Sequence, residues 1–121
     1  MMSQKVAVHR WDSLEVEKIT EMISRKVISG DQQMWVQVYL KRGAQVPSHS
    51  HSSEQMVYVL QGSLLYRIGN AEIVLQMGEV LHVPSGCSHQ AMALDDTFEL
   101  DVFSPPRVDW SLSKTERTNP K

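Results

Sequence analysis

Apolar residues in the central part of the chain occur in short runs that are separated by turn signals. Runs rich in β-branched and aromatic side chains alternate with glycine- or proline-containing segments at 61–63, 69–71, 77–79 and 84–86. This spacing is typical of short β-strands joined by tight turns. The predicted strands cover residues 34–40, 55–60, 64–68, 72–76, 80–83, 90–94 and 97–103. Because no long helical pattern interrupts them, we predict an all-β sandwich or barrel.

The ends of the chain have a weaker pattern. Val6 and Val8 alternate with polar neighbours, which favours a short edge strand. Residues 13–23 have a loose helical spacing, but the run 23–28 ends at a Ser-Gly-Asp turn signal, so a strand fits there at least as well. Residues 55–60 are apolar at both alternating sets of positions, as in a strand that is buried on both faces. We expect one domain over residues 1–110 and a flexible polar tail over residues 111–121.

The composition of the chain excludes several classes of function. Its 121 residues suffice for one core, and its net charge of -2 offers no basic surface to nucleic acid or to an anionic membrane. The apolar runs are far shorter than the ~18–20 residues of a membrane span, and the N-terminus lacks a signal-peptide core. The single cysteine, Cys87, allows no internal disulfide, which indicates a reducing compartment, and we expect the cytoplasm.

Three histidines have positions that suit metal binding. His49 and His51 lie two positions apart, so on a strand their imidazoles point to one face. Gln55 keeps the parity of His51 in extended structure, whereas Glu54 has the opposite parity and points away. His89 follows the turn sequence Pro-Ser-Gly-Cys-Ser. The histidine pair by itself fits a metal site and a solvated serine-rich loop about equally well.

The remaining histidines and the cysteine have plainer interpretations. His82 stands in a predicted strand without ligand spacing, so we expect it at the surface or at an interface, and we expect no special role for His9. Cys87 fits a small loop residue, with a redox or ligand role as the alternative.

The two histidine segments belong to a longer pattern. Residues 43–62 read G-x5-H-x-H-x3-Q-x6-G, and residues 78–89 read G-x5-P-x-G-x2-H. This pattern resembles the two sequence motifs of the cupin superfamily, which we place at 43–62 and 78–93. The resemblance implies a small jelly-roll barrel that encloses a metal. The ligands that it implies are His49, His51, Gln55 and His89.

Two positions depart from the usual cupin pattern. Gln55 stands where glutamate is usual, and Ala93 stands where asparagine is frequent. A carboxamide oxygen can bind a metal but does not cancel its charge, so a divalent ion here keeps its full charge and favours an anionic ligand. Imidazole-rich sites accept several metals, and we expect one divalent ion that is Zn, Ni, Fe, Mn or Cu.

The last predicted strand carries a second set of functional candidates. Alternation places Leu100 and Val102 on one face, which we expect to enter the packed core, and Glu99, Asp101 and Phe103 on the other. The second face fits the lining of a pocket for a charged ligand. After the two prolines, Arg107 can donate two hydrogen bonds to a carboxylate. The alternative is a solvated edge strand with a surface salt bridge between Asp101 and Arg107.

The run LDVFSPPR, followed by Asp109 and Trp110, is similar to the pectin-degradation cupins of the KdgF type, as is the H-x-H-x3-Q motif. This resemblance implies an enzyme that opens 4,5-unsaturated uronates, such as the galacturonate-derived sugar, to the linear 5-keto-4-deoxyuronate. It implies catalytic roles for Asp101, Phe103 and Arg107, and a small anionic sugar acid as substrate. In the chemistry that this requires, Asp101 is the expected acid/base.

Two other functions remain open at the level of sequence. A cupin dioxygenase would use iron, copper or nickel and consume oxygen, while a non-catalytic cupin would bind a small molecule without turnover. Gln90 and Tyr58 are weaker candidates for the pocket wall, and Tyr58 has the wrong parity relative to Gln55. From the resemblance we also expect a homodimer, with Trp35 and the N-terminal strand as interface parts.

Overall fold

Residues 5–108 form ten antiparallel β-strands in two sheets. A computed structural model describes residues 5–108. A short 3-10 helix, Trp11–Ser13, precedes the strands. The strands are β1 (Glu17–Lys18), β2 (Ile23–Ser29), β3 (Met34–Leu40), β4 (Gln45–His49), β5 (Glu54–Gln61), β6 (Ser63–Ile68), β7 (Ala71–Gln76), β8 (Val80–Val83), β9 (His89–Ala93) and β10 (Thr97–Ser104).

The two sheets enclose one core. The larger sheet has the order β1-β2-β3-β10-β5-β8, and the smaller one has the order β4-β9-β6-β7. The fully apolar inner face of β3 packs with the inner residues of β6 and β9 into a single cluster. Two antiparallel sheets with nonsequential strand order around one core form a jelly roll, which confirms the all-β prediction. Among residues 5–108 no helix has the length and hydropathy that a membrane crossing needs.

Turn glycines set the corners of this fold. Gly62, between β5 and β6, has a φ of 95°, a conformation that residues with a Cβ rarely adopt. A Cβ at this position would also collide with the backbone oxygen of Asp96, which precedes β10. The close approach brings β10 beside the β5–β6 corner and so fixes the register of the central strands.

The N-terminal segment differs from the prediction of an edge strand. Residues 5–10 form no strand, and Val6 and Val8 are 98% and 89% exposed. The alternation of two valines therefore predicted a strand, but among the described residues this segment pairs with no neighbouring strand. The strand interpretation of residues 23–28 is confirmed by β2, and the helical alternative for 13–23 is wrong. The predicted tail, 111–121, lies outside the described residues.

The faces of the two central strands are the main correction to the sequence interpretation. β5 is buried on one face only, because Met56 and Tyr58 point outward and are exposed. On β10 the inward face carries Asp101 and Phe103, whereas Leu100 lies on the outer face and is only half-buried. The prediction that Leu100 and Val102 enter the core was thus wrong, since hydrophobicity on these strands does not mark the inner face.

Candidate metal centre and active site

Three histidines meet between the two sheets. His49 ends β4, His89 begins β9, and the two are register partners in the smaller sheet. His51 lies in the loop that leads to β5 rather than on a strand, so the expected strand alternation does not explain its position. One nitrogen from each of the three rings lies within 4.8 Å of the others. The histidine triad could therefore hold a metal ion.

Each ring is held by a carbonyl two residues away. The Nδ1 atoms of His49, His51 and His89 each lie 2.9 Å from the backbone oxygens of Pro47, Ser53 and Cys87, respectively. A proton on Nδ1 that is donated to such a carbonyl leaves Nε2 with a free lone pair. This pattern fixes ring orientation in metal sites. The triad therefore presents three preoriented Nε2 acceptors.

Gln55 brings a fourth donor atom to the same place. Its side chain is buried, and its Oε1 lies 3.1 Å from Nε2 of His51. In the tautomer that carries its proton on Nδ1, Nε2 of His51 and Oε1 of Gln55 both present lone pairs to the same point, as two ligands of one cation do. The residues present thus fit a divalent ion, and Glu54 points outward, as its parity predicts.

Burial keeps His49 in its neutral form. The pKa of His49 is lowered from 6.5 to about 4, first by burial and then by the neighbouring positive or ionisable groups His89, Arg107 and His51, while the Pro47 carbonyl partly opposes the shift. A neutral imidazole is the form that binds metals, so protons compete weakly with a metal for this ligand near neutral pH. The effect of Arg107 also shows that a cation lies close to the triad.

Phe103 and Arg107 border the triad on the side of the larger sheet. Phe103 is opposite Gln55 in the β10–β5 register, and its ring meets the His51 ring edge-on with centroids 5.4 Å apart. The guanidinium carbon of Arg107 lies 5.4 Å from the Phe103 centroid, within cation–π range. Arg107 is buried, although it lies in the irregular segment after β10 and not on a strand. The arrangement forms an apolar wall with one cation beside the histidines.

Asp101 lies inside the barrel. It is 0% exposed, and its register partners on the flanking strands are Val36 and Val57. The alternative of a solvated edge strand is wrong, because β10 is central in its sheet and both Asp101 and Arg107 are buried. A carboxylate is costly to bury, so its place on this face needs a cause other than packing.

Two further residues lie in the interior. Glu99 shares the face of Asp101, as alternation predicts, and is likewise 0% exposed, although no role in the site was predicted for it. Tyr66 on β6 is 1% exposed, with its ring centroid 6.4 Å from that of His89. Burial and then the charges of Glu99 and Asp101 raise the pKa of Tyr66 well above its usual value. Nothing in its local sequence distinguishes Tyr66 from a core aromatic.

The weaker candidates lie outside this group. Tyr58 is exposed on the outer face of β5, as its parity predicts. His82 is exposed, and its Nε2 lies 2.7 Å from Oε2 of Glu54. Gln90 is half-buried on β9 with parity opposite to that of His89. Cys87 lies in the loop before β9, where its carbonyl rather than its thiol contacts the centre.

These features place the protein in a known class. Residues 36–104 match the family described as the Cupin domain. This match covers more than half of the chain, and the protein therefore belongs to the cupin family. No curated protein matches the sequence significantly.

Solved structures give a more specific likeness. KdgF from Halomonas sp. has 28% sequence identity and a TM-score of 0.82, over 88% of this chain and 99% of that one. An RmlC-like cupin from Shewanella frigidimarina has 26% identity and a TM-score of 0.81, over 90% and 99% of the two chains. At 19% identity, a predicted oxalate decarboxylase from Thermotoga maritima shares the fold with a TM-score of 0.72, over 83% and 100% of the two chains. The KdgF resemblance drawn from the sequence is thus confirmed.

Proposed function

We propose that this cupin opens the ring of 4,5-unsaturated uronates and releases the linear 5-keto-4-deoxyuronate. The observation that carries the proposal is the pair Asp101 and Arg107, both buried on the side of the histidine triad where Phe103 contacts His51. A base and a carboxylate-binding cation beside a site for a divalent ion match the chemistry of an acidic sugar. The likeness to KdgF supports the same reaction class.

The reaction moves one proton and breaks one bond. Removal of the C1 hydroxyl proton lets the C1–O5 bond break, with a carbonyl forming at C1 and the electron pair of the broken bond going to the ring oxygen. The product of this step is an enolate at C5, with the negative charge on the former ring oxygen. Transfer to C4 of the proton taken from the C1 hydroxyl then converts the enolate into the 5-keto group. The proton count is balanced, so one acid/base group suffices for both steps.

Three residues have separate roles in the proposed reaction. Asp101 accepts the C1 proton and returns a proton to C4, a role that typically contributes ~10²–10⁴-fold. Arg107 binds the C6 carboxylate through its planar guanidinium and orients the ring. Phe103 limits access of water from its side. His49, His51, Gln55 and His89 hold a divalent metal, which when bound supplies electrostatic stabilisation of the negative charge that develops on substrate oxygens.

The direct test follows the enol ether. A 4,5-unsaturated galacturonate absorbs in the ultraviolet, and the absorbance disappears when the ring opens and the enol becomes a ketone. The purified metal-loaded protein should accelerate the loss of absorbance over buffer, without consuming oxygen. No acceleration contradicts the proposal. Oxygen consumption in the same assay would identify a dioxygenase instead, and ligand-dependent stabilisation without turnover would identify a binding protein.

We also propose that two copies of the chain pair through the larger sheet. One outer row of this sheet runs Ile28, Trp35, Val102, Met56 and His82 in register, with Val102 on the central strand β10. Rotation of a second copy about an axis along β10 stacks Trp35 of one copy over Met56 of the other, and both are over 40% exposed in the single chain. Light scattering should give twice 13.8 kDa for the wild type and one copy for Trp35→Glu.

A further inference from the structure

Tyr66 is a buried polar residue that has no role in the reaction steps given above. It lies on the inner face of β6, beside Ala91 on β9 and Ile73 on β7. The residue is 1% exposed, and its ring centroid lies 6.4 Å from that of His89. Buried tyrosine hydroxyls usually have a hydrogen-bond partner, so a buried tyrosine beside a candidate ligand site is suited to donate a hydrogen bond to a ligand there.

The surroundings of Tyr66 direct its hydroxyl into the candidate site. The facing sheets of a sandwich lie about 10 Å apart, and a tyrosine side chain spans most of that gap. The charges of Glu99 and Asp101, on the inner face of the opposite sheet, act on the hydroxyl, and its ring lies 6.4 Å from that of His89. Tyr66 therefore lies on the inner face close to His89, with Glu99 and Asp101 near enough to act on its hydroxyl.

We propose that Tyr66 is a catalytic hydrogen-bond donor that contacts the ring oxygen of the uronate as the C1–O5 bond breaks. This inference rests on the proposed ring-opening function and adds a residue to it. The raised pKa of Tyr66 means that the phenol keeps its proton, so it acts as a donor and not as a base. The electron pair from C1–O5 goes to the ring oxygen, the C1 proton goes to Asp101, and Tyr66 retains its own proton throughout.

A donor of this kind acts on the transition state more than on the bound substrate. Negative charge grows on the ring oxygen only while the bond breaks, so the hydrogen bond strengthens at that stage. Removing one such donor typically lowers kcat by ~10²–10³-fold. The proposal therefore predicts a large loss in kcat with a small change in KM.

The test compares Tyr66→Phe with the wild type and with Tyr39→Phe as a matched control. Tyr39 lies on the outer face, where its ring stacks on Phe98 at 4.8 Å, and its hydroxyl donates to Gln37. With unsaturated galacturonate, Y66F should lose about 10²-fold or more in kcat. Its bound metal, its thermal unfolding and its calorimetric affinity for saturated galacturonate should stay near those of the wild type. Y39F should keep its kcat.

Each other outcome overturns the inference in a recognisable way. A Y66F variant with wild-type kcat shows that Tyr66 is no catalytic donor, while the proposed function stands. Loss of metal together with activity assigns Tyr66 to support of the histidines instead. A loss confined to KM and to the affinity for saturated galacturonate makes it a binding residue only. A wild type without turnover removes the proposed function, and this inference with it.

Discussion

Two neighbouring strands in the larger sheet are equally buried but opposite in chemistry. The inner face of β3 carries Met34, Val36, Val38 and Leu40, all apolar, and β10 pairs with it in register over its whole length. At the corresponding inner positions β10 carries Phe103, Asp101, Glu99 and Thr97, of which only the first is apolar. Strand β3 thus contributes packing, whereas β10 places two carboxylates in the same protected layer.

The difference between the strands indicates where polar functional groups replace apolar side chains in the core. A valine in place of either carboxylate would bury apolar area without a desolvation cost. The inner carboxylates are instead accompanied by a wall and a cation, Phe103 and Arg107, which lead to the histidine triad. Substitutions on the inner face of β3 should therefore lower the stability of the protein and leave its activity intact. Substitutions of the inner polar residues of β10 should lower the activity and leave the stability intact.

The largest expected effect comes from substituting, one at a time, the two register partners Asp101 and Val36. Asp101→Asn should lower kcat on unsaturated galacturonate by ~10²–10⁴-fold, because it removes the acid/base group but keeps the shape. Val36→Ala should lower the free energy of unfolding by about 1–3 kcal/mol through the cavity that it leaves, with activity retained. Steady-state kinetics and denaturant unfolding measure the two effects. Full activity in D101N would refute the assigned role of Asp101.

A smaller effect is expected at Arg107. Arg107→Lys keeps the charge but loses the planar pair of hydrogen bonds to a carboxylate, so kcat/KM should fall by about 10–100-fold, mainly through KM. Arg42→Lys is the matched control, because Arg42 is exposed on the loop after β3. If R107K binds and turns over the uronate like the wild type, Arg107 does not hold the substrate carboxylate.

A still smaller change is expected when Gln55 becomes glutamate. Gln55→Glu adds an anionic ligand to the centre, so the metal should bind more tightly while its net charge toward the substrate falls. We expect KM for the uronate to rise several-fold, with metal content maintained. Gln45→Glu, on an exposed position of β4, adds the same charge away from the centre and should change neither quantity. An unchanged KM in Q55E would contradict the argument from site charge.

The smallest effect concerns the pH dependence of the metal-free protein. Because the pKa of His49 is lowered to about 4, the unfolded chain binds a proton at this residue at higher pH than the folded chain does. The contribution of His49 to the free energy of unfolding is therefore fully present above pH 6.5 and is lost as the pH falls toward 4. Thermal unfolding of chelator-treated protein should show this decrease, and His49→Gln should make it shallower. An equal dependence of the unfolding temperature on pH in both proteins would contradict the lowered pKa of His49.

Much of the fold follows from local sequence. Glycine-containing turns and β-rich runs predict seven of the strands closely, because short-range backbone preferences determine where such strands end. The strand spacing predicted a sandwich or barrel, whereas the jelly-roll topology followed only from resemblance to a family. The faces of β5 and β10 could not be predicted, because Met56, Leu100 and Val102 make the outer face more apolar than a solvated face usually is.

The candidate site was predictable where its residues share a spacing. The positions of His49, His51, Gln55 and His89 form a pattern, and the structure brings all four together. His51 reached the centre through a loop held by the Ser53 carbonyl, which strand parity does not describe. Tyr66 lies on β6, in the same smaller sheet as His49 and His89 but outside their sequence motifs, so only tertiary structure reveals its place.

The most direct measurement of the central claim is the identity of the product formed in deuterium oxide. Metal-loaded wild-type protein is incubated with 4,5-unsaturated galacturonate, and the product is examined by nuclear magnetic resonance beside a reaction with D101N. The account predicts rapid formation of the linear 5-keto-4-deoxyuronate with deuterium at C4 from the wild type, and only the buffer rate from D101N. An unchanged sugar with the wild type, or equal rates from both proteins, would contradict it.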